Sequence, residues 1–219
     1  MTEPSFLRTT RAGYDAIAAA YTEHFRGGFE KEPLGRAMLG AFAESVRGDG
    51  GGRVLDVGSG PGWVTAYLAS LGLAVSGVDL SPEMVALARR EHPGLRFEEG
   101  SMTALEVADG ALGGVVAWYS LIHLAPEAVP GVLAEFHRVL APGGRLALGF
   151  QVGEEPREYA EAFGQRVSLV FHRLSPERVA GQLRAAGFVV AARLEREALS
   201  DEPTPQAYLL ARKPGPDEG

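Results

Sequence analysis

The stretch "RVLDVGSGPGWVTAYLAS", residues 53–70, decides how this chain is built. An apolar run at positions 54–57 contains one acid, Asp56, and three glycines follow it within five residues. Apolar residues at helical spacing then begin with Trp63. Glycine has no Cβ atom, so it lets the backbone turn tightly and lets a ligand approach closely. The stretch therefore predicts a buried strand, a ligand-binding turn and a helix.

The same alternation of patterns continues through residues 53–153. Strand-like runs lie at 53–59, 74–80, 95–101, 112–120 and 145–153. Helix-like segments separate most of them, with start and stop signals such as Ser81-Pro82-Glu83 before one helix and Pro142-Gly143-Gly144 after another. Continuous apolar strands that alternate with amphipathic helices are typical of a buried parallel sheet with helices on both faces.

The two ends of the chain read differently from its centre. The first 52 residues read as helices, and the segment 175–188 repeats the Ser-Pro-Glu helix start. Strands are predicted at 189–196 and 206–212, and the link between them is too short for a helical crossover, so we expect an antiparallel pair. We predict one α/β domain over 1–219, divided into a helical cap (1–52), a cofactor-binding core (53–153), a lid segment with a helix and antiparallel strands (154–213) and a tail (214–219).

Composition excludes several classes of function. The 219 residues carry a formal net charge of −7, which argues against nucleic acid as the main partner. The absence of cysteine excludes disulfides, thiolate nucleophiles and cysteine-ligated zinc, and the five histidines lack ligand spacing, so no metal site is predicted. Neither a long apolar segment nor a signal-peptide layout is present, which predicts a cytoplasmic protein without membrane contact.

The acids at the first two strands indicate the ligand. Asp79 ends the second strand about 20 residues after the glycines, the place from which a carboxylate can bind both ribose hydroxyls. The glycines are spaced G-x-G-x-G, and Trp63 stands where a dinucleotide motif would have its third glycine. Asp56 would repel a pyrophosphate and suits a cationic group. We therefore predict S-adenosylmethionine as the cofactor.

With these motifs, the chain resembles the class I S-adenosylmethionine-dependent methyltransferases, in particular small-molecule enzymes of actinobacterial type. The resemblance covers roughly residues 14–213 and rests on "VLDVGSGPG", "VDLSPEMVALAR", "EGSMTAL" and "LAEFHRVLAPGGRLAL". It implies a Rossmann-like doubly wound sheet of seven strands, the last one antiparallel and inserted, with "YDAIAAAYTEHF" as an N-terminal helical cap.

The resemblance also implies a set of cofactor-binding residues. Asp56, Gly58 and Gly60 would line the methionine end, Asp79 would bind the ribose, and Leu80 would pack on the adenine. Many relatives carry an acid at position 101, where a serine oxygen could accept a weaker hydrogen bond from the adenine. The full predicted set is Tyr14, Tyr21, Asp56, Gly58, Ser59, Gly60, Asp79, Leu80, Met84, Ser101, Met102 and Trp118.

Several of these residues have a purely structural alternative. Tyr14 and Tyr21 lie seven positions apart on one helical face, which fits core packing as well as a cap over the cofactor. Met84 has the spacing of a core residue, Trp63 could pack its helix on the sheet, and Asp56 could serve as a turn acid.

The acceptor is expected beyond the ends of the fourth and fifth strands. The predicted acceptor-binding set is Tyr119, His123, Gln151, Phe171 and His172. His123 is the candidate general base because the unperturbed pKa of histidine lies near neutrality, although a role as a wall of the crevice is favoured.

The predicted reaction is methyl transfer to a small, largely apolar molecule by in-line displacement, performed by a monomer or homodimer. Three alternatives remain open: a cyclase or isomerase on the same scaffold, a non-catalytic binding subunit, and, disfavoured by the glycine spacing, a nicotinamide oxidoreductase.

Overall fold

The computed structural model describes residues 4–199 and 202–216, so residues 1–3 of the predicted cap, residues 200–201 of the predicted lid segment and residues 217–219 of the predicted tail lie outside it. A seven-stranded sheet has the order β3-β2-β1-β4-β5-β9-β8, and β6 and β7 form a separate hairpin. Strands β1 to β5 run parallel, and β9 is inserted antiparallel to both of its neighbours, as predicted. The strands are β1 (Val54–Val57), β2 (Val75–Asp79), β3 (Arg96–Glu99), β4 (Leu112–Trp118), β5 (Leu140–Gln151), β6 (Arg157–Ala162), β7 (Gln165–Phe171), β8 (Val189–Arg196) and β9 (Gln206–Arg212).

Helices cover both faces of the sheet. They are α1 (Ser5–Phe25), α2 (Pro33–Gly48), α3 (Trp63–Ser70), α4 (Pro82–Glu91), α5 (Val129–Val139) and α6 (Pro176–Ala185). One buried cluster joins α2 and α3 to Val54 and Val116, and a larger one joins α5 and α6 to Val115 and Leu146 on the opposite face. Within the part of the chain that the structure describes, no helix is long and apolar enough to cross a membrane.

The end of α5 differs from the prediction. The helix stops at Val139, three residues before the proline and glycines that were expected to close it. Leu140 already pairs with Leu112 of β4, and the register of the two strands shifts before pairing resumes between Gly114 and Arg145. The Pro142-Gly143-Gly144 segment is thus an irregularity within β5, where Gly143 has φ +81°.

A hairpin within the predicted lid segment was not foreseen. β6 and β7 are joined by Phe163 and Gly164, both with positive φ, which is the two-residue turn that twists correctly for a hairpin. The hairpin packs on α1, where Gly13 leaves room for Leu169: a Cβ at Gly13 would lie 2.5 Å from Leu169 Cδ2. Most side chains of both strands are exposed or half-buried, so the sequence lacked a continuous apolar run to mark them.

The two Ser-Pro-Glu helix starts behave as predicted. Ser81 Oγ accepts a hydrogen bond from the Met84 amide (3.2 Å), and Ser175 Oγ accepts one from the Arg178 amide (3.3 Å). Ser81 has a second partner, because its hydroxyl also donates to Asp15 Oδ1 of α1 at 2.5 Å. One serine therefore begins α4 and attaches α1 to the end of β2.

This difference between the two serines is testable. Ser175→Ala should lower the free energy of unfolding by about 1 kcal/mol because it removes one helix cap, and Ser81→Ala should lower it further because it also removes the bond to Asp15. Only Ser81→Ala should speed amide hydrogen exchange in α1, because only this change frees Asp15. Chemical denaturation and hydrogen exchange by mass spectrometry measure the two effects, and equal exchange of α1 in both variants would contradict the proposed attachment.

Candidate active site

The three glycines after β1 serve different purposes. Gly58, Gly60 and Gly62 all have positive φ (73°, 51° and 89°). A Cβ at Gly58 would lie 2.3 Å from Ser120 Cβ, and one at Gly62 would lie 2.7 Å from Phe97, so packing requires both glycines. A Cβ at Gly60 would meet nothing within 4 Å. The space beside Gly60 is therefore where a ligand can approach the backbone of the turn.

Asp79 closes this turn from the end of β2. Its Oδ2 accepts a hydrogen bond from the Gly60 amide at 2.7 Å, and its Oδ1 accepts one from the Ser81 amide at 2.9 Å. Burial raises the pKa of Asp79 from its ordinary value, although the hydrogen bonds from backbone amides act in the opposite direction and favour the ionised form. A carboxylate offers about four lone pairs, so it keeps acceptor capacity for ligand hydroxyls.

Asp56 lies beneath the turn and is almost completely buried. Its Oδ2 accepts a hydrogen bond from Thr65 Oγ1 at 2.6 Å, which ties β1 to the first turn of α3. Burial, with the charge of Asp79 as a smaller cause, raises the pKa of Asp56 to about 7. Asp56 therefore has a structural role beneath the turn, which was the alternative to cofactor binding. A cationic ligand nearby would favour its ionised form.

Helix α1 covers the end of β2. Arg11 Nε donates to the Leu80 carbonyl oxygen at 3.1 Å, in addition to the bond between Ser81 and Asp15. Tyr14 and Tyr21 pack against α4 together with Met84, which is 1% exposed.

The environment of the two tyrosines links them to the crevice. Burial raises the pKa of Tyr21 to about 12, and the charge of Asp79 contributes to this rise. Burial also raises the pKa of Tyr14, with the charges of Tyr21 and Asp79 as smaller causes. Tyr14 and Tyr21 therefore pack with Met84 in the α1–α4 contact and lie close enough to Asp79 to be affected by its charge.

His123 lies in a short turn after β4, between α1 and the hairpin. Its Nε2 is 2.8 Å from the Tyr14 hydroxyl oxygen, and the Phe171 ring centroid lies 4.8 Å from the imidazole centroid. Burial lowers the pKa of His123 to about 4. Enclosure of the side chain thus takes this pKa well below the unperturbed value that made His123 a candidate base. A neutral, weakly basic imidazole suits a wall of the crevice better than a general base.

Trp118 ends β4, and its ring packs in the core of the sheet. Its ring stacks on Tyr208 with centroids 4.9 Å apart and planes within 5°. It belongs to the buried cluster on the α2 face and would contact a Cβ at Gly35 or Gly149. Because these contacts are all with the protein core, Trp118 is not included in the cofactor site proposed below.

Tyr119, the next residue, belongs to a buried polar cluster that the sequence did not reveal. Arg196, with a side chain 7% exposed, forms ion pairs with Glu32 (2.8 Å) and Glu202 (2.5 Å). The Tyr119 hydroxyl oxygen lies 3.1 Å from that of Tyr208, and Tyr119 has φ +57°. The cluster joins the chain before α2, the end of β4 and the last two strands. Its members are far apart in sequence, so no local signal could have found them.

The remaining predicted cofactor residues surround the same sheet edge. Ser101 follows β3, and its Oγ lies 2.8 Å from Thr103 Oγ1. Met102 packs against the larger core cluster. Ser59 Oγ is buried and has no hydrogen-bond partner among the described residues.

Three predicted acceptor residues, Tyr119, Gln151 and His172, have no side-chain hydrogen bond or ring contact with His123 in the described part of the chain. Gln151 ends β5, pairs with Gln206, and accepts a hydrogen bond from the Leu174 amide through its carbonyl oxygen. The His172 amide donates to the Ile122 carbonyl oxygen, but its side chain lines a separate cavity of about 210 Å³ beside Arg173 and Ser175. Phe171 is the member of the set that contacts His123 directly.

Comparison with known proteins identifies the domain. Residues 54–144 match a family model described as a methyltransferase domain. The chain is 30% identical over 146 residues to the demethylmenaquinone methyltransferase of Chlorobaculum tepidum, covering 66% of this chain and 57% of that protein. The chain spans about half the length of the curated relatives it matches.

Solved structures agree with this result. The chain in a structure titled as a DhpI–SAH complex has a TM-score of 0.75 and 23% identity over 98% of this chain and all of the other. A Burkholderia thailandensis 1,6-didemethyltoxoflavin-N1-methyltransferase has a TM-score of 0.62 and 25% identity over 98% and 93% of the chains. The [4+2]-cyclase SpnF shares the fold with a TM-score of 0.62 and 23% identity over 82% and 81%. Residues 54–144 thus match a methyltransferase domain, and the chain shares the fold of these solved structures.

The buried Asp56 gives a pH-dependent prediction. Its folded pKa of about 7 exceeds the unfolded value of roughly 4, so the ligand-free protein loses stability as the pH rises between these values. Asp56→Asn keeps an acceptor for Thr65 and removes the charge. The variant should match the wild type near pH 4 and exceed it by roughly 2–4 kcal/mol above pH 7. Chemical denaturation across this range measures the difference, and parallel stability curves would contradict it.

Proposed function

We propose that this protein transfers a methyl group from S-adenosylmethionine to a small, largely apolar molecule. The observation that carries the proposal is the open space beside Gly60, bordered by the Asp79 carboxylate, in a matched methyltransferase domain. The glycine turn leaves room that a side chain would fill, and the carboxylate offers acceptors for ribose hydroxyls. The residues present thus fit the cofactor.

Each part of the proposed cofactor site has a physical role. Asp79 would accept hydrogen bonds from the ribose, and Gly58 and Gly60 would give the methionine portion access to the backbone. Asp56 would supply negative charge near the cationic end. The residues proposed to surround the adenine and to cover the nucleoside are Tyr14, Tyr21, Ser59, Leu80, Met84, Ser101 and Met102.

The proposed reaction requires little acid–base catalysis by the protein. When bound, the cofactor supplies a methyl group on a cationic sulfur and leaves as a neutral thioether. The chain's own residues align the reactants and keep water out. Helix α1, attached at Leu80 and Ser81, covers the sheet edge, and Tyr14, His123 and Phe171 form a continuous wall.

The wall also supports the proposed class of acceptor. The Phe171 ring is in contact with those of His123 and Tyr159, with centroids 4.8 and 5.1 Å apart. His123 is neutral at physiological pH because of its lowered pKa. An aromatic, uncharged wall fits an apolar small molecule, and the net charge of −7 does not favour nucleic acid. We also propose that the protein is cytoplasmic and acts as a monomer or homodimer.

The shared fold of the cyclase SpnF keeps a second function in view, namely cofactor binding without methyl transfer. A non-catalytic subunit would also bind the cofactor without transferring a methyl group. Incubation with methyl-labelled cofactor and a panel of small apolar acceptors separates these functions. Label in an acceptor supports methyl transfer. Tight cofactor binding without label in the panel, together with conversion of an acceptor to an isomer, supports a cyclase function.

Asp79→Ala tests the cofactor assignment. Loss of charge-assisted hydrogen bonds worth about 1.5–3 kcal/mol should weaken S-adenosylmethionine binding by roughly tenfold to a hundredfold in titration calorimetry. Asp109→Ala is the matched control, because this exposed aspartate pairs with Arg138 far from the turn. Unchanged affinity in a folded Asp79→Ala protein would remove Asp79 from the site.

His123→Gln tests the role of the wall. Because His123 has a pKa of about 4 and is neutral throughout the working range, the variant should raise KM and leave the pH profile of kcat unchanged between about pH 5.5 and 8. Steady-state kinetics with an acceptor from the labelled panel provide both parameters. A large fall in kcat with loss of one ionisation would instead make His123 the general base.

A further inference from the structure

A cavity of about 180 Å³ lies between α2, α3 and the end of α4, outside the residues that the proposed site uses. Its lining residues are Phe29, Glu30, Arg36, Trp63, Ala66, Tyr67 and His92. Trp63 connects the cavity to the crevice, because its ring is nearly parallel to that of Tyr21 at 6.4 Å, and Tyr21 is close enough to Asp79 to be affected by its charge. Trp63 also follows directly after Gly62 of the turn.

The walls of the cavity are largely aromatic. Phe29 and Tyr67 are in edge contact with ring centroids 5.3 Å apart, and the Tyr67 hydroxyl donates to the Arg36 carbonyl oxygen at 3.2 Å. The polar end of Tyr67 is thus already satisfied by the protein. The aromatic surfaces suit the apolar part of a ligand.

Arg36 is the feature that the fold does not explain. Among the residues that the structure describes, its side chain forms no hydrogen bond or ion pair, and its Nε is buried without a partner. Glu30 also lines the cavity but forms no ion pair with Arg36. Its carboxylate lies beside Gly27 instead, 4.0 Å from the position that a Cβ atom would take there. His92 Nε2 is likewise buried without a partner. A partly buried cation without a counter-charge is costly, and a bound anion would relieve this cost.

We propose that this cavity binds a carboxylate group, with Arg36 as its partner and the aromatic walls around the adjoining apolar atoms. A guanidinium fork matches the planar, singly charged carboxylate with two parallel hydrogen bonds. A doubly charged phosphate is disfavoured, because the single positive charge of Arg36 would not balance it and the negative charge of Glu30 would repel it. This proposal rests on the proposed function, which offers two sources of the carboxylate. One is the amino-acid end of the cofactor, and the other is an acid group on the acceptor.

Arg36→Gln tests the proposal, with Arg47→Gln as the matched control. Arg47 lies on the same helix, is exposed, and donates to the Leu71 carbonyl oxygen outside the cavity. Calorimetry compares S-adenosylhomocysteine with 5′-methylthioadenosine, which has the same nucleoside but no carboxylate. Benzoate serves as a free carboxylate probe, followed by Trp63 fluorescence, and Trp63→Phe shows that the signal comes from this residue.

Each outcome has one meaning. If the cofactor brings the carboxylate, Arg36→Gln weakens S-adenosylhomocysteine about tenfold to a hundredfold and leaves 5′-methylthioadenosine unchanged. If the acceptor brings it, both nucleosides bind Arg36→Gln normally, and benzoate binds the wild type but not the variant. Arg36→Lys should restore part of either loss.

If Arg36→Gln changes neither carboxylate probe, the proposal is overturned. Failure of the wild type to bind either nucleoside would instead count against the proposed function, and the benzoate arm would still decide the role of Arg36.

Discussion

The carboxylate of Asp79 is the constraint on which the rest of the site depends. It accepts hydrogen bonds from the Gly60 amide in the turn after β1 and from the Ser81 amide at the start of α4. Ser81 in turn holds Asp15, and the neighbouring Leu80 carbonyl holds α1 through a second bond. The glycine turn, the proposed ribose-binding position and the covering helix therefore share one anchor. A ligand that engages Asp79 acts on all three elements.

Much of this arrangement could be predicted from local sequence. The alternation of apolar strands with capped helices determined the parallel sheet, because each apolar run had to be buried on both faces. Both Ser-Pro-Glu starts became helix caps, since a serine hydroxyl satisfies an amide that the helix leaves free. The place of Asp79 at the end of β2 followed from strand length and glycine spacing.

Other features depend on contacts that local sequence does not record. Trp118 lies in a continuous apolar run, which cannot tell that its ring is buried on the α2 face against Tyr208. The pKa of His123 is lowered by burial beneath Tyr14 and Phe171, which come from distant parts of the chain. The hairpin at 157–171 packs against a gap in α1 left by a glycine. In each case the deciding neighbour lies far away in sequence.

Hydrogen exchange by mass spectrometry, with and without S-adenosylhomocysteine, tests the central claim most directly. The ligand should slow exchange in the turn at 58–62, at the β2–α4 junction and in α1, and leave β8 and β9 unchanged, since the three protected segments are joined through Asp79 and Ser81. NAD at the same concentration should have no such effect. Protection confined to other segments, or equal protection by NAD, would contradict the assignment of this crevice to S-adenosylmethionine.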